Sequence, residues 1–161
     1  MVVYFGNPLG AILIAWLMFN SGLLVHGGGP TATGAVAVRI TEAKLHLSFM
    51  EVLSRGILCN MLVCLAVIMC IAAKTVEGKI FGIYFPIMAF VASGFEHSVA
   101  NMYFLPMGLM AKGEFISRFF DIFHNLIPVT VGNIIGGLLI VLLHLKLEER
   151  IARTLMHKGV K

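Results

Sequence analysis

Between Phe81 and Met110 the chain is almost continuously apolar, yet near the middle of that stretch stand Glu96 and His97, directly after Ala92-Ser93-Gly94. A run of this length suffices to cross a bilayer, which takes roughly 20 apolar residues. At that depth every backbone N–H and C=O must find a partner inside the protein. The stretch is therefore expected to be helical, with irregular backbone only where it is buried in protein or lines an aqueous cavity. Ionisable groups at bilayer depth cost several kcal/mol and persist mainly where they face a cavity, a partner or an ion path. Ser93 and Gly94 just before the pair permit a break in the helix, a common device in proteins that pass small polar solutes.

The rest of the chain agrees with a membrane setting. Of the 161 residues 59% are hydrophobic and 12% charged, with a mean hydropathy of +0.95, against roughly 25% charged in a soluble domain. The chain reads as an all-α integral membrane protein rather than a soluble enzyme. No cleavable signal peptide is expected, because the N-terminus lacks a basic region. The basic pI does not point to nucleic acid, since Lys146, Arg150, Arg153, Lys158 and Lys161 crowd one tail. Cys59, Cys64 and Cys70 share one apolar segment, where they read as small buried hydrophobes. His26, His46, His97, His124, His144 and His157 are scattered without ligand spacing, so no metal and no cofactor are expected.

Four spans are expected, at residues 4–25, 49–73, 80–110 and 126–145, with a basic tail at 146–161. Ala32 to His46 reads as a short helix near the interface, Lys74–Lys79 as a connector and Ala111–His124 as a polar loop. Four crossings put both termini on one side. Lys74, Lys79 and the tail make that side the cytoplasmic one of a cell membrane. Gly6-Asn7-Pro8-Leu9-Gly10-Ala11 and Gly132-Asn133-Ile134-Ile135-Gly136-Gly137 share a Gly-Asn-x-x-Gly-small pattern, whose spacing lets helix backbones approach closely. As a repeat, it makes the first and fourth spans corresponding members of two halves.

His97 is the leading candidate for chemistry, since an imidazole takes up and releases protons near neutral pH. The alternative is a histidine hydrogen-bonded to a neighbouring helix. Glu96 and His97 point about 100° apart on a regular helix and are unconstrained if the helix is broken. Asn101 lies four residues on, on the same face as His97 if the helix resumes there. Asn60, inside the second span, fits pore lining and interhelical bonding equally well. Lys44, just before that span, reads by itself as an interfacial lysine.

Phe90-Val-Ala-Ser-Gly-Phe-Glu-His-Ser-Val-Ala-Asn-Met102 with Pro106-Met-Gly108 resembles the fifth-helix motif of the formate/nitrite transporter family. Arg55–Val67 resembles its fourth helix, Asn125–Gly137 its sixth, and Val3–Asn7 the approach to its third. The resemblance covers essentially the whole chain. It implies homopentamers whose subunits each enclose a pore, in an aquaporin-like bundle of six helices in two inverted halves. It also implies passage of small monovalent anions such as formate or nitrite together with a proton. Carried over, it makes His97 the pore histidine, with Glu96 and Asn101 beside it, Lys44 the lysine before the fourth helix and Asn60 the fourth-helix asparagine. Phe90 and Val63 become constriction residues. The expected mechanism is that Lys44 draws in an anion, which His97 protonates for the dry crossing while Glu96 and Asn101 orient the imidazole or relay its proton.

The family's first two helices have no counterpart in the sequence, so the chain corresponds to the third to sixth. It is expected to be a truncated form that needs another chain to complete the pore, or a non-conducting assembly subunit, and not to conduct selectively alone. Partners expected are the anion, a proton, the lipid bilayer and, once completed, four further copies.

Overall fold

The computed structural model describes residues 2–157, with side chains described for residues 3–150. The protein is helical: α1 (Val2–Asn20), α2 (Ala32–Leu45), α3 (Phe49–Ala72), α4 (Val76–Ala92), α5 (Ser98–Lys112) and α6 (Asp121–His157). A two-residue hairpin, β1 (Val25–His26) with β2 (Gly29–Pro30), joins α1 to α2. Its turn residues Gly27 and Gly28 have φ of 62° and 84°, the left-handed conformation that a tight hairpin turn demands at both positions. Among the described residues three helices are long and apolar enough to cross a membrane: α1 from Val3, α3, and α6 as far as Arg150.

Several boundaries differ from expectation, each for a local reason. The first apolar segment stops being helical at Asn20, not Val25, because the chain turns so that Leu24 is buried and its carbonyl lies against Gly34 of α2. The expected connector 74–79 is helical from Val76 onward, because the Thr75 side chain accepts from Gly78 N–H and starts α4. The polar loop shrinks to 113–120, between the Gly113 C-cap and the start of α6 at Asp121. Beyond the expected end at Leu145, α6 runs on to His157, so the described part of the basic tail is helix; residues 158–161 lie outside the described residues. Residues 80–110 form two helices, α4 and α5, each shorter than a full crossing needs.

Packing falls into two groups. In one, α3 lies between α6 and α4; in the other, α5 lies between α1 and α2. Glycines set the close approaches. A Cβ at Gly136 would run into the backbone carbonyl of Ile57, and one at Gly108 into Thr41 and the Ala37 carbonyl. The polarity is that of a membrane protein. Thr41, Glu96, Ser98, Asn101, Asn125 and Asn133 are buried, while Phe5, Leu9, Ile71, Phe81 and Leu143 are exposed.

Candidate functional site

Everything converges on residues 93–97. α4 ends in a left-handed cap: Gly94 has φ 66°, its N–H donates to Val91 O at 3.1 Å, and Phe95 N–H donates to Phe90 O at 3.1 Å. This paired closure satisfies the last carbonyls of α4. Glu96 N–H then donates to Arg55 O of α3 at 3.4 Å. Asn133 of α6 supplies the remaining partners. Its Oδ1 accepts from Ser98 N–H, and its Nδ2 donates to Glu96 O and to Gly56 O, all at 2.9 Å. The irregular backbone is thus paired at each of these groups, as a break among apolar helices requires.

His97 is the N-cap of α5, and its Nδ1 accepts from Ala100 N–H at 3.3 Å. The neutral ring therefore carries its hydrogen on Nε2, which has no partner among the described residues. The ring lies 6.1 Å from that of Phe90, at 26° between planes. It lines a cavity of about 480 Å³ with Asn60, Ser98, Asn133, Tyr4 and Thr130. The imidazole is partly buried and faces this open cavity rather than being sealed among packed side chains.

Glu96 points elsewhere. At 1% exposed, its Oε1 accepts from Lys44 Nζ at 2.8 Å and its Oε2 accepts from Asn101 Nδ2 at 2.5 Å. Asn125 Nδ2 adds a longer bond to Oε2 at 3.3 Å and a second to Lys44 O at 3.1 Å, while Asn125 Oδ1 accepts from Asn101 Nδ2 at 2.7 Å. Lys44 is therefore an internal ion-pair partner rather than an interfacial lysine. Of the two expected roles, to orient the imidazole or to relay its proton, the side-chain contacts show neither directly: Ala100 N–H and Phe90 contact the ring, while Glu96 and Asn101 join Lys44. Asn60 sits beside His97, its Nδ2 donating to Asn133 O at 2.5 Å. Val63 lies one turn further along α3, half-buried.

Asn125 and Asn133 were absent from the residues expected to matter. Asn133 carried a signal, its place in the Gly-Asn-x-x-Gly repeat; Asn125 carried only its position in an otherwise apolar helix.

A second charged cluster ties the end of α2 to the α5–α6 connection. Glu42 Oε1 accepts from Arg118 Nη1 at 2.6 Å and Lys112 Nζ at 2.9 Å, and both cations also reach Glu114. Arg118 first, then Lys112, hold the Glu42 carboxyl below its ordinary 4.5. A depressed carboxylate contributes stability that is complete above its ordinary pKa and fades as pH falls through the lowered value. Thermal unfolding in detergent is therefore expected at lower temperature below about pH 4, and Glu42→Gln is expected to flatten that dependence. An equally steep profile in the variant would remove Glu42 as its source.

The amino-acid sequence matches the family described as formate/nitrite transporter over residues 1–146. It is 45% identical over 148 residues to a "Probable formate transporter" of Methanothermobacter thermautotrophicus, covering 84% of the chain and 53% of that protein. It is 40% identical over 156 residues to "Formate channel FocA" of Escherichia coli K12, covering 86% and 54% respectively. The chain thus spans about half the length of these relatives. Among solved structures, a "Pentameric formate channel with formate bound" superposes with a TM-score of 0.77 at 36% identity, over 92% of the chain and 64% of that structure. An "FNT family ion channel" superposes at 0.73 and 31% identity, over 91% and 56%. These relatives are channels and transporters rather than enzymes.

Proposed function

Because the chain belongs to the formate/nitrite transporter family, we propose that it forms part of a path by which formate, nitrite or a similar small monovalent anion crosses the membrane, with a proton exchanged at His97. One observation carries this reading: a helix break whose capping imidazole opens on a cavity of about 480 Å³ with Asn60, Ser98 and Asn133. An anion entering a dry constriction pays a large desolvation penalty. A proton from the imidazole lets the solute pass as a neutral acid. The Lys44–Glu96 pair carries no net charge, so attraction of the anion rests on the lysine's local field and on the positive end of α5. Phe90, stacked on His97, and Val63 are the proposed constriction.

In this reading α4 and α5 together make one crossing, giving four in an aquaporin-like bundle with both termini cytoplasmic. The copies assemble as a homopentamer, as the pentameric formate channel does.

One observation favours a second reading, a non-conducting or assembly subunit. Gly132 and Gly136 are packed against α3, but a Cβ added at Gly6 or Gly10, in the same motif on α1, meets no described atom within 4 Å. That face fits a further polypeptide. The two readings part in one experiment, in which the chain is expressed with the part of the E. coli relative that the match leaves out. Formate-driven proton movement into reconstituted vesicles is expected. A complex that co-purifies yet passes no formate would support the second reading and sink the first.

A further inference from the structure

The cavity that holds His97 shares a wall with a second one. That neighbour, of about 400 Å³, lies between α1, α5 and α6 and is lined by apolar groups such as Ile12, Met102, Pro106 and Leu126. Tyr4, Phe5 and Thr130 line both cavities. Tyr4 Oη and Thr130 Oγ1 are 2.6 Å apart across this wall. Thr130 spends its hydroxyl hydrogen on Leu126 O at 2.7 Å, so Tyr4 is the donor and Thr130 the acceptor. The two hydroxyls are the hydrogen-bonding side chains of a second cavity that is otherwise lined by apolar ones.

Their place in the sequence supports a special role. Tyr4 stands three residues before Asn7, and Thr130 three before Asn133, in the two copies of the Gly-Asn-x-x-Gly pattern. The hydrogen bond therefore joins equivalent positions of the two motif helices.

We propose that the Tyr4–Thr130 hydrogen bond is a gate between the cavity at His97 and its neighbour, and that Tyr4 is a residue that contacts the solute. This rests on the transport reading above. A solute crossing the wall has to part the two hydroxyls. A small monocarboxylic acid replaces what it breaks: its carbonyl accepts from Tyr4 Oη–H while its own O–H donates to a free lone pair of either hydroxyl oxygen. A solute without that pairing leaves a hydroxyl unpartnered in an apolar wall, which is unfavourable. The gate thereby selects protonated carboxylic acids of formate's size, with Phe5 limiting bulk.

The test uses the complex described above in vesicles. Tyr4→Phe keeps the ring and removes the bond; Thr130→Val does the same from the other side. Because formic acid replaces the bond it breaks, each is expected to leave formate flux little changed, to raise the flux of chloride, which cannot donate back, about fivefold, the worth of one net hydrogen bond, and so to lower the preference for formate over chloride by that factor. The double variant is expected to go no further than either single one. Unchanged chloride flux and preference in both variants, with active unsubstituted complex, overturns the gate and leaves the transport reading intact. An inactive unsubstituted complex overturns both. Independently of flux, the chain labelled with ¹³C at Tyr Cζ is expected to show a Tyr4 resonance that moves on titration with formate at pH 5, in the unsubstituted chain and in Thr130→Val alike. A resonance that ignores formate overturns the contact.

Discussion

Replacement of Lys44 by methionine is expected to destabilise the protein by about 3–5 kcal/mol, the usual cost of stripping a buried ion of its partner. The Glu96 carboxylate is 2% exposed and Lys44 is its cation, while Asn101 and Asn125 give it amide hydrogens but no charge. The loss should appear as a large drop in melting temperature in detergent. Pairing the change with Glu96→Gln should recover most of it, because the amide oxygen still accepts from Asn101 and no charge is left behind. If Lys44→Met alone melts like the unsubstituted protein, the ion pair does not hold the α2 end against α5 and α6.

The second large effect concerns His97. In the vesicle complex, His97→Phe is expected to lower formate flux on the order of a hundredfold, as removal of a positioned proton donor typically does, and to abolish its pH dependence. Phenylalanine keeps the stacking on Phe90 but loses the bond from Ala100 N–H. His97→Asn is therefore the informative companion. Asparagine is among the best N-cap residues, so it should restore the stability of α5 without restoring flux. Full flux in the asparagine variant would mean that His97 serves only as a helix cap.

The helices themselves were legible because long apolar runs leave a membrane chain few alternatives, and Ser93-Gly94 fall in the segment between α4 and α5. Helix ends were less legible, since they depend on caps. Thr75 begins α4 inside what composition presents as a connector. Lys44, Glu96, His97 and Asn101 stand out one by one along the chain, but their partners do not. Lys44 and Glu96 are 52 positions apart, and nothing in either's surroundings along the chain announces the other. Asn125 escaped notice for the same reason, its bonds reaching Lys44 O and Glu96 from a helix that the hydropathy pattern presents as lipid-facing.

The length of α6 fixes how deep its asparagines lie. Asp121 and Lys146 bracket its apolar portion, and Asn133 is 12 residues from one and 13 from the other. At 1.5 Å per residue that is about 18 Å either way, so in the proposed crossing the amide that clasps the break lies near the middle of the apolar span. Sliding the rod by one turn in either direction would drag a charge into hydrocarbon. The polar ends thus act as stops, pinning the break where water is scarcest and an unpaired amide most expensive.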